Sequence, residues 1–175
     1  MEPAIIEVRP VTLADINLLV AMSRETFYAA FAHLNNADDM EAYAAKSFTS
    51  QQLVQEYNTP GSSFYFAVVN NVVAGFMKLN TGDAQNEFKE DNSLEVERLY
   101  VLATHQGKQI GKQLLGFALN KANNKMHDFI WLGVWEHNLN AIRLYERMGF
   151  SLCGSHDFML GNDRQTDLLM KKVLK

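Results

Sequence analysis

The chain is short of the residues that cross-link or interrupt proteins. It has one cysteine in 175 residues, Cys153, so no intrachain disulfide is available, a usage expected of the reducing cytoplasm. It has three prolines, and no apolar run nears the ~20 residues needed to cross a bilayer, so no membrane span is expected. Met1, Glu2 and Pro3 open it without the basic stretch of a secretory leader. An excess of positive charge is missing too: the formal net charge is −4, which argues against a nucleic-acid partner. The five histidines lack metal-ligand spacing, and no metal is expected. Two phosphate-binding signatures are absent. G-x-G-x-x-G needs three glycines where only Gly107 and Gly111 occur. In a P-loop, Gly111-Lys112 would be followed by Ser or Thr rather than Gln113.

What remains is ample for one core. Length and 47% apolar residues predict a single domain over residues 1–175. A short strand at 5–9, closed by Pro10, precedes a helix capped at Thr12 with Asp15 three residues on. A second helix follows Asn35-Asn36, with Met40, Tyr43, Ala44 and Phe48 on its inner face, and Thr49 or Ser50 caps a third, short one. Residues 64–69 and 72–77 read as a hairpin around Asn70-Asn71, two residues that tolerate positive φ. A polar, acidic connection runs to residue 93. Residues 129–134 form an apolar strand of the kind buried on both faces beside a parallel neighbour. A helix over 140–148 ends at Gly149, and strands at 150–158 and 166–173 flank a turn at Gly161-Asn162-Asp163. The pattern places the chain in the α/β or α+β class.

The stretch from Leu94 to Leu119 organises the rest. A Leu/Val/Tyr-rich strand feeds a helix whose apolar residues fall at Ile110, Leu114, Leu115 and Leu119. Between them lies a short polar, basic loop at the helix N-terminus, where free backbone N–H groups and the helix dipole suit a phosphate. This loop, Gln106-Gly107-Lys108-Gln109-Ile110-Gly111, resembles the acetyl-CoA pyrophosphate loop of the GNAT N-acetyltransferases, [QR]-x-x-G-x-[GA], with Gln109 where that family usually has glycine. A second segment, residues 138–150, resembles the same family's N-x-x-A-x-x-x-Y-x-x-x-G-F pattern through Asn138, Ala141, Tyr145, Gly149 and Phe150. Taken alone, Tyr145 reads as core packing. The resemblance implies the GNAT fold: a mixed, mostly antiparallel central sheet flanked by helices, with parallel strands splayed at the acetyl-CoA site. Residues 25–27, 35–40 and 160–170 look like the bacterial PaiA-type spermidine/spermine acetyltransferases.

Acetyl transfer to an amine sets defined demands. A primary amine has a pKa near ~10.4 and is protonated at pH 7, so something must accept its proton. Glu97 is the candidate base, with Glu95 on the same face of the strand; Glu97 reads equally as a solvated edge charge. The resemblance implies that the backbone N–H of Leu99 stabilises the oxyanion. It further implies that the pantetheine arm pairs along Leu99, Tyr100 and Val101, and that Tyr145 protonates the leaving thiolate. Residues 106–111 and Lys112 would hold the pyrophosphate. Asn138 would contact the cofactor, Asn140 lies in the same segment, and Arg147 is a candidate for the adenosine 3′-phosphate. Cys153 reads as packing. Glu87, Glu90, Asp91, Glu95 and Glu97 form an acidic cluster fitted to a polyamine acceptor, and equally to a solvated loop. The expected activity is acetyl-CoA-dependent N-acetylation of a small amine, by direct attack, in a monomer or homodimer. The alternatives are acetylation of a protein N-terminus or lysine, and a non-catalytic acetyl-CoA-binding regulator.

Overall fold

The computed structural model describes residues 4–174; the leader reading at Met1, Glu2 and Pro3 lies outside them. Alternation of side chains lets a sheet bury both faces, and this one does. Its strands are β1 (Glu7–Pro10), β2 (Ser62–Val69), β3 (Val72–Thr81), β4 (Ser93–Val101), β5 (Phe129–Trp135), β6 (Ser151–Leu160) and β7 (Asp163–Val173). They lie in the order β1-β2-β3-β4-β5-β7-β6, antiparallel except for the β4–β5 pair. The helices are α1 (Ile16–Phe31), α2 (Ala37–Ser47), α3 (Ser50–Tyr57), α4 (Ile110–Asn124) and α5 (Leu139–Arg147). Pro10 is the last residue of edge strand β1, a position proline tolerates.

Local chemistry explains the boundaries. The Asp15 carboxylate accepts from the Thr12 N–H at 2.8 Å and the Thr12 hydroxyl at 2.9 Å, and binds Arg9 at 2.9 Å. Asn36 caps α2 and Thr49 caps α3 through their side-chain oxygens. Asn70 and Asn71 sit at φ 49° and 63°, the left-handed pair of a two-residue hairpin turn.

One face of the sheet packs α4 and α5. There Leu79, Leu94, Val96, Ile130, Leu132 and Val134 meet Ile110, Leu114 and Leu115, each fully buried aliphatic contributing about 1.5–3 kcal/mol. The opposite face packs α1 and α3 through Phe64, Phe66, Phe76, Leu19 and Leu53, and α2 closes on Phe27 and Leu160. A bulge interrupts the β3–β4 ladder. Lys78 pairs with Arg98 but Leu79 pairs with Val96, so Glu97 is an extra residue. It reverses the alternation of β4. Leu99 and Val101 consequently join the α4/α5 side, and Arg98 and Tyr100 face α1 and α3.

The β6–β7 turn is a docking point. Gly161 has φ +58°, and a Cβ there would stand 2.5 Å from Asp39 Oδ1, the oxygen that accepts from the Asn162 N–H at 2.9 Å. Two stretches far apart in sequence, residues 35–40 and 160–170, thereby meet. Gly161→Ala combines a strained φ with this overlap and is expected to destabilise the protein by at least about 1 kcal/mol. Thermal denaturation should register it as a fall in Tm of roughly 2–4 °C per kcal/mol; an unchanged Tm would mean that the turn does not lock onto α2.

Candidate active site

Strands β4 and β5 pair only from Ser93 to Glu95, against Phe129 to Trp131. Beyond that they diverge. At the split lies a cleft of about 500 Å³, lined on β4 by Glu95 to Tyr100, on β5 by Gly133, Val134 and Trp135, and on α5 by Tyr145.

On one side of the split the helix N-terminus forms as expected. Gln106 Nε2 donates to the Val101 carbonyl at 3.2 Å, tying the loop to the end of β4. Gly107 and Gln109 take φ +78° and +60°. The first bond into α4 runs from the Gln113 N–H to the Gln109 carbonyl at 3.1 Å, so the N–H groups of Ile110, Gly111 and Lys112 have no acceptor within the helix. Gly111 differs from the simplest reading of its motif. A side chain there would point at Leu99 (3.5 Å) and Val101 (3.8 Å), so this glycine allows α4 to approach β4 closely. Lys108 reaches the Thr104 carbonyl at 3.4 Å, and Lys112, Asn140 and Arg147 are exposed. Asn138 lines the cleft, but its side-chain oxygen is engaged as the α5 cap, accepting from the Ala141 N–H at 3.3 Å; its amide NH₂ is the end left for a ligand.

Tyr145 belongs to the core on the α4/α5 side yet also lines the cleft, which it reaches through the split. Burial pushes its hydroxyl up to about 12, so it stays protonated. Burial likewise raises the Tyr100 hydroxyl, aided by the neighbouring Tyr43.

The other side of the split is acidic and aromatic. Glu97 binds Lys78 at 2.6 Å and Arg98 at 3.4 Å and accepts from Asn80 at 2.6 Å; Glu56 binds the same two cations at 2.9 and 2.8 Å. Burial opposes ionisation of Glu56, but Arg98 and Lys78 outweigh it and hold the carboxyl below its usual range. Glu95, 3% exposed, accepts from Asn80 at 3.0 Å and from the Asn86 side chain at 2.7 Å, and burial raises its carboxyl despite those bonds. Facing them is a wall of rings: Phe27 against Phe31, Tyr43 and Phe48 at 5.0–5.4 Å, and Phe31 against Trp135 at 5.7 Å.

The acidic cluster is redrawn by the structure. Glu90 and Asp91 are exposed and do not line the cleft, whereas Glu87, Glu95 and Glu97 do. Asp157, Asp167 and His156 join them from β6 and β7. None of these last three is among the site residues that the sequence suggests. Both His156 and Asp167 sit among other polar residues, Ser155 and Asp157 on β6 and Gln165 and Thr166 on β7, so nothing in the sequence singles them out and their pairing depends on register.

A mixed sheet with parallel strands splayed over a phosphate-ready helix N-terminus is the architecture of the GNAT fold. The Acetyltransferase (GNAT) family model matches residues 28–150. An uncharacterized N-acetyltransferase from the pepI 3′ region of Lactobacillus delbrueckii subsp. lactis is 43% identical over 97% of this chain and 98% of its own length. The spermidine N(1)-acetyltransferase of Thermoplasma acidophilum is 23% identical over 95% of this chain and 96% of its own. The crystal structure of the PaiA N-acetyltransferase from Thermoplasma acidophilum in complex with coenzyme A superposes with a TM-score of 0.79, at 22% identity, over 97% of this chain and 99% of that one. This chain belongs to the GNAT family and is an N-acetyltransferase.

Gln109 carries a measurable strain. A residue with a side chain at φ +60° costs about 1–2 kcal/mol relative to glycine. Gln109→Gly is expected to raise Tm by a few degrees, offset in part by the entropy glycine adds to the unfolded chain. A lowered Tm would show that the Gln109 side chain contributes packing that outweighs its backbone strain.

Proposed function

We propose that the protein transfers an acetyl group from acetyl-CoA to a primary amine of a small polycation, with a polyamine such as spermidine as the acceptor class. The observation that carries this is the charge left in the cleft once ion pairs are cancelled. Lys78 and Arg98 balance Glu56 and Glu97, and Arg164 pairs with Asp157. Glu87, Glu95 and Asp167 remain, with His156 among them. Three carboxyls facing a wall of aromatic rings suit an alkyl chain bearing several ammonium groups, through charge and cation–π attraction. The names of the spermidine-acetylating relatives support the same reading.

On the other side of the split, the N–H groups opening α4 and the unpaired edge of β4 fit a pyrophosphate and an extended pantetheine arm. Bound acetyl-CoA supplies the activated thioester. The chain's residues do the rest. The backbone N–H of Leu99, beyond the bulge, is assigned to the oxyanion. Glu97 is read as a member of the ion-pair set at the bulge rather than as the base, because its oxygens are occupied by two cations and an amide. Tyr145 is assigned to the leaving sulfur. A hydroxyl held near 12 gives its proton up reluctantly to a thiolate whose acid has a pKa near ~8.5; hydrogen-bond donation to the developing charge, short of full transfer, is the role that fits.

A thiol-release assay with spermidine, an amino sugar and a lysine peptide tests the acceptor class. Spermidine should give the highest kcat/KM, and added salt should raise its KM more than that of a simple monoamine. Equal salt dependence for both amines would rule out a polycation site, and no turnover with any amine would favour a cofactor-binding regulator.

Tyr145→Phe keeps the ring and removes the donor. Single-turnover acetylation should slow by about 10–10²-fold, at the low end of general-acid effects or below, with acetyl-CoA affinity little changed. A wild-type single-turnover rate would leave Tyr145 with packing alone.

A further inference from the structure

We propose that His156 takes the proton from the acceptor amine, held for that task by Glu87 and Asp167; this role rests on the amine-acetylation reading above. The register of the sheet puts the residues in one row. His156 of β6 pairs with Asp167 of β7, and Asp167 pairs with Trp135 of β5. Directly opposed residues share a face, and Gly133, two residues before Trp135, lies on it too. A side chain at Gly133 would begin 3.8 Å from His156 Nε2 and 3.7 Å from Asp167 Oδ2. Its absence leaves Nε2 open to the cleft beside the divergent end of β5.

The hydrogen bonding selects the tautomer. His156 Nδ1 lies 3.1 Å from Glu87 Oε1, and a carboxylate there accepts an Nδ1–H, which leaves the lone pair on Nε2. Asp167 Oδ2, 3.7 Å from Nε2, is too far for a hydrogen bond and near enough to stabilise the imidazolium as it forms. Burial raises the Asp167 carboxyl, and the imidazole beside it works the other way. Among the described residues no three His, Cys, Asp or Glu side chains are arranged to hold a metal ion.

The other candidates are poorer. Glu97 is saturated by Lys78, Arg98 and Asn80, and Glu95 by Asn80 and Asn86. An ordinary histidine is about four orders of magnitude less basic than an alkylamine, an ordinary carboxylate about six. In the step itself the ammonium N–H proton passes to Nε2. The freed nitrogen lone pair forms the bond to the acetyl carbonyl carbon, the nitrogen of that adduct gives up its second proton to solvent, and the C–S electron pair leaves with sulfur, which is protonated by solvent or with help from Tyr145. The imidazolium then returns the Nε2 proton to solvent through the cleft, and the Nδ1–H keeps its hydrogen bond to Glu87. Titratable groups sharing the cleft are Glu87 from the connection after β3, Glu95, Glu97, Arg98 and Tyr100 from β4, Tyr43 from α2, Tyr145 from α5, Asp167 from β7 and Asp157 on its own strand.

The test is the pH dependence of kcat/KM for spermidine at saturating acetyl-CoA, in wild type, His156→Gln and Asp167→Asn, with acetyl-CoA affinity and Tm measured alongside. His156→Gln should lose about 10²–10³-fold near neutral pH, recover toward wild type as the pH approaches that of the free amine, and respond to added imidazole. Asp167→Asn, which keeps the base but removes an anion beside it, should move the acidic limb of the profile to lower pH. A loss in His156→Gln that is equal at every pH, or no loss, would overturn the proton role while leaving amine acetylation standing. If His156→Gln does not fold, an Asp167→Asn profile with an unmoved limb overturns it instead. Wild-type protein that acetylates no amine would overturn both readings together.

Discussion

The site depends on one geometric event, the divergence of β4 from β5 after three paired residues. Two parallel strands continuing side by side would seal the sheet, and a helix on each face would then be separated by a solid layer. Here the extra residue Glu97 bends β4 and re-aims its side chains, as bulges do. The opening that results is what lets Tyr145, from the core on one face, share a cavity with Glu95, Trp135 and His156 on the other.

Holding that bulge open takes buried charge. Glu56, Lys78, Glu97 and Arg98 form a closed set of two anions and two cations. Their net contribution to stability is small, because desolvating four ions offsets much of their mutual attraction. Removing one member would strand the others at about 3–5 kcal/mol. The stronger consequence is for geometry. Lys78 and Arg98 are the ladder pair beside the bulge, and Glu56 reaches them from α3, so the set fixes both the register of the strand and the distance of the helix layer. Acidic protons would loosen it. Glu56 is held below its usual carboxyl range, so it contributes stability at neutral pH that is lost as pH falls through its folded value.

Much of the architecture was legible because it is written in short-range chemistry. Asn36 and Thr49 cap the helices that their positions imply, Thr12 and Asp15 bracket a short 3₁₀ turn that leads into α1 at Ile16, and the Asn70-Asn71 turn joins the hairpin it suggests. The loop from Gln106 to Gly111 does open α4. Harder to read was anything decided by pairing between distant strands. The alternation of residues 94–101 breaks where Glu97 and Arg98 stand side by side and the apolar positions pass from Leu94 and Val96 to Leu99 and Val101, but which partner the ladder skips is decided by the pairing with β3. Gly111 carries a motif position, but which way its missing side chain would point follows from the helix being seated on Leu99 and Val101. His156 and Asp167 are eleven residues apart along a hairpin whose own bulge, between Leu152 and Gly154, lies just before them. The acidic loop misled for a complementary reason: its charges are adjacent in sequence, yet Glu87 turns inward to His156 while Glu90 and Asp91 stay exposed.

On the proposed reading, the two faces of the sheet divide the reaction by polarity. On the α4/α5 side the free N–H groups at the start of α4 present positive character with little formal charge, the condition for an anionic group that must also be released. On the opposite side the uncompensated carboxyls present negative character behind a ring-lined wall, and burial raises both Glu95 and Asp167. In both, burial outweighs the partners that the ionised form already has. On the proposed reading an arriving ammonium adds a cationic partner and offsets that desolvation. Selectivity for a positively charged amine and readiness to strip its proton then pull against each other, because every anion that attracts the ammonium also stabilises it. A neutral imidazole placed beside the carboxylates, rather than another carboxylate, is a way out of that conflict: it adds basicity at the site without adding to the charge that holds the proton on the substrate.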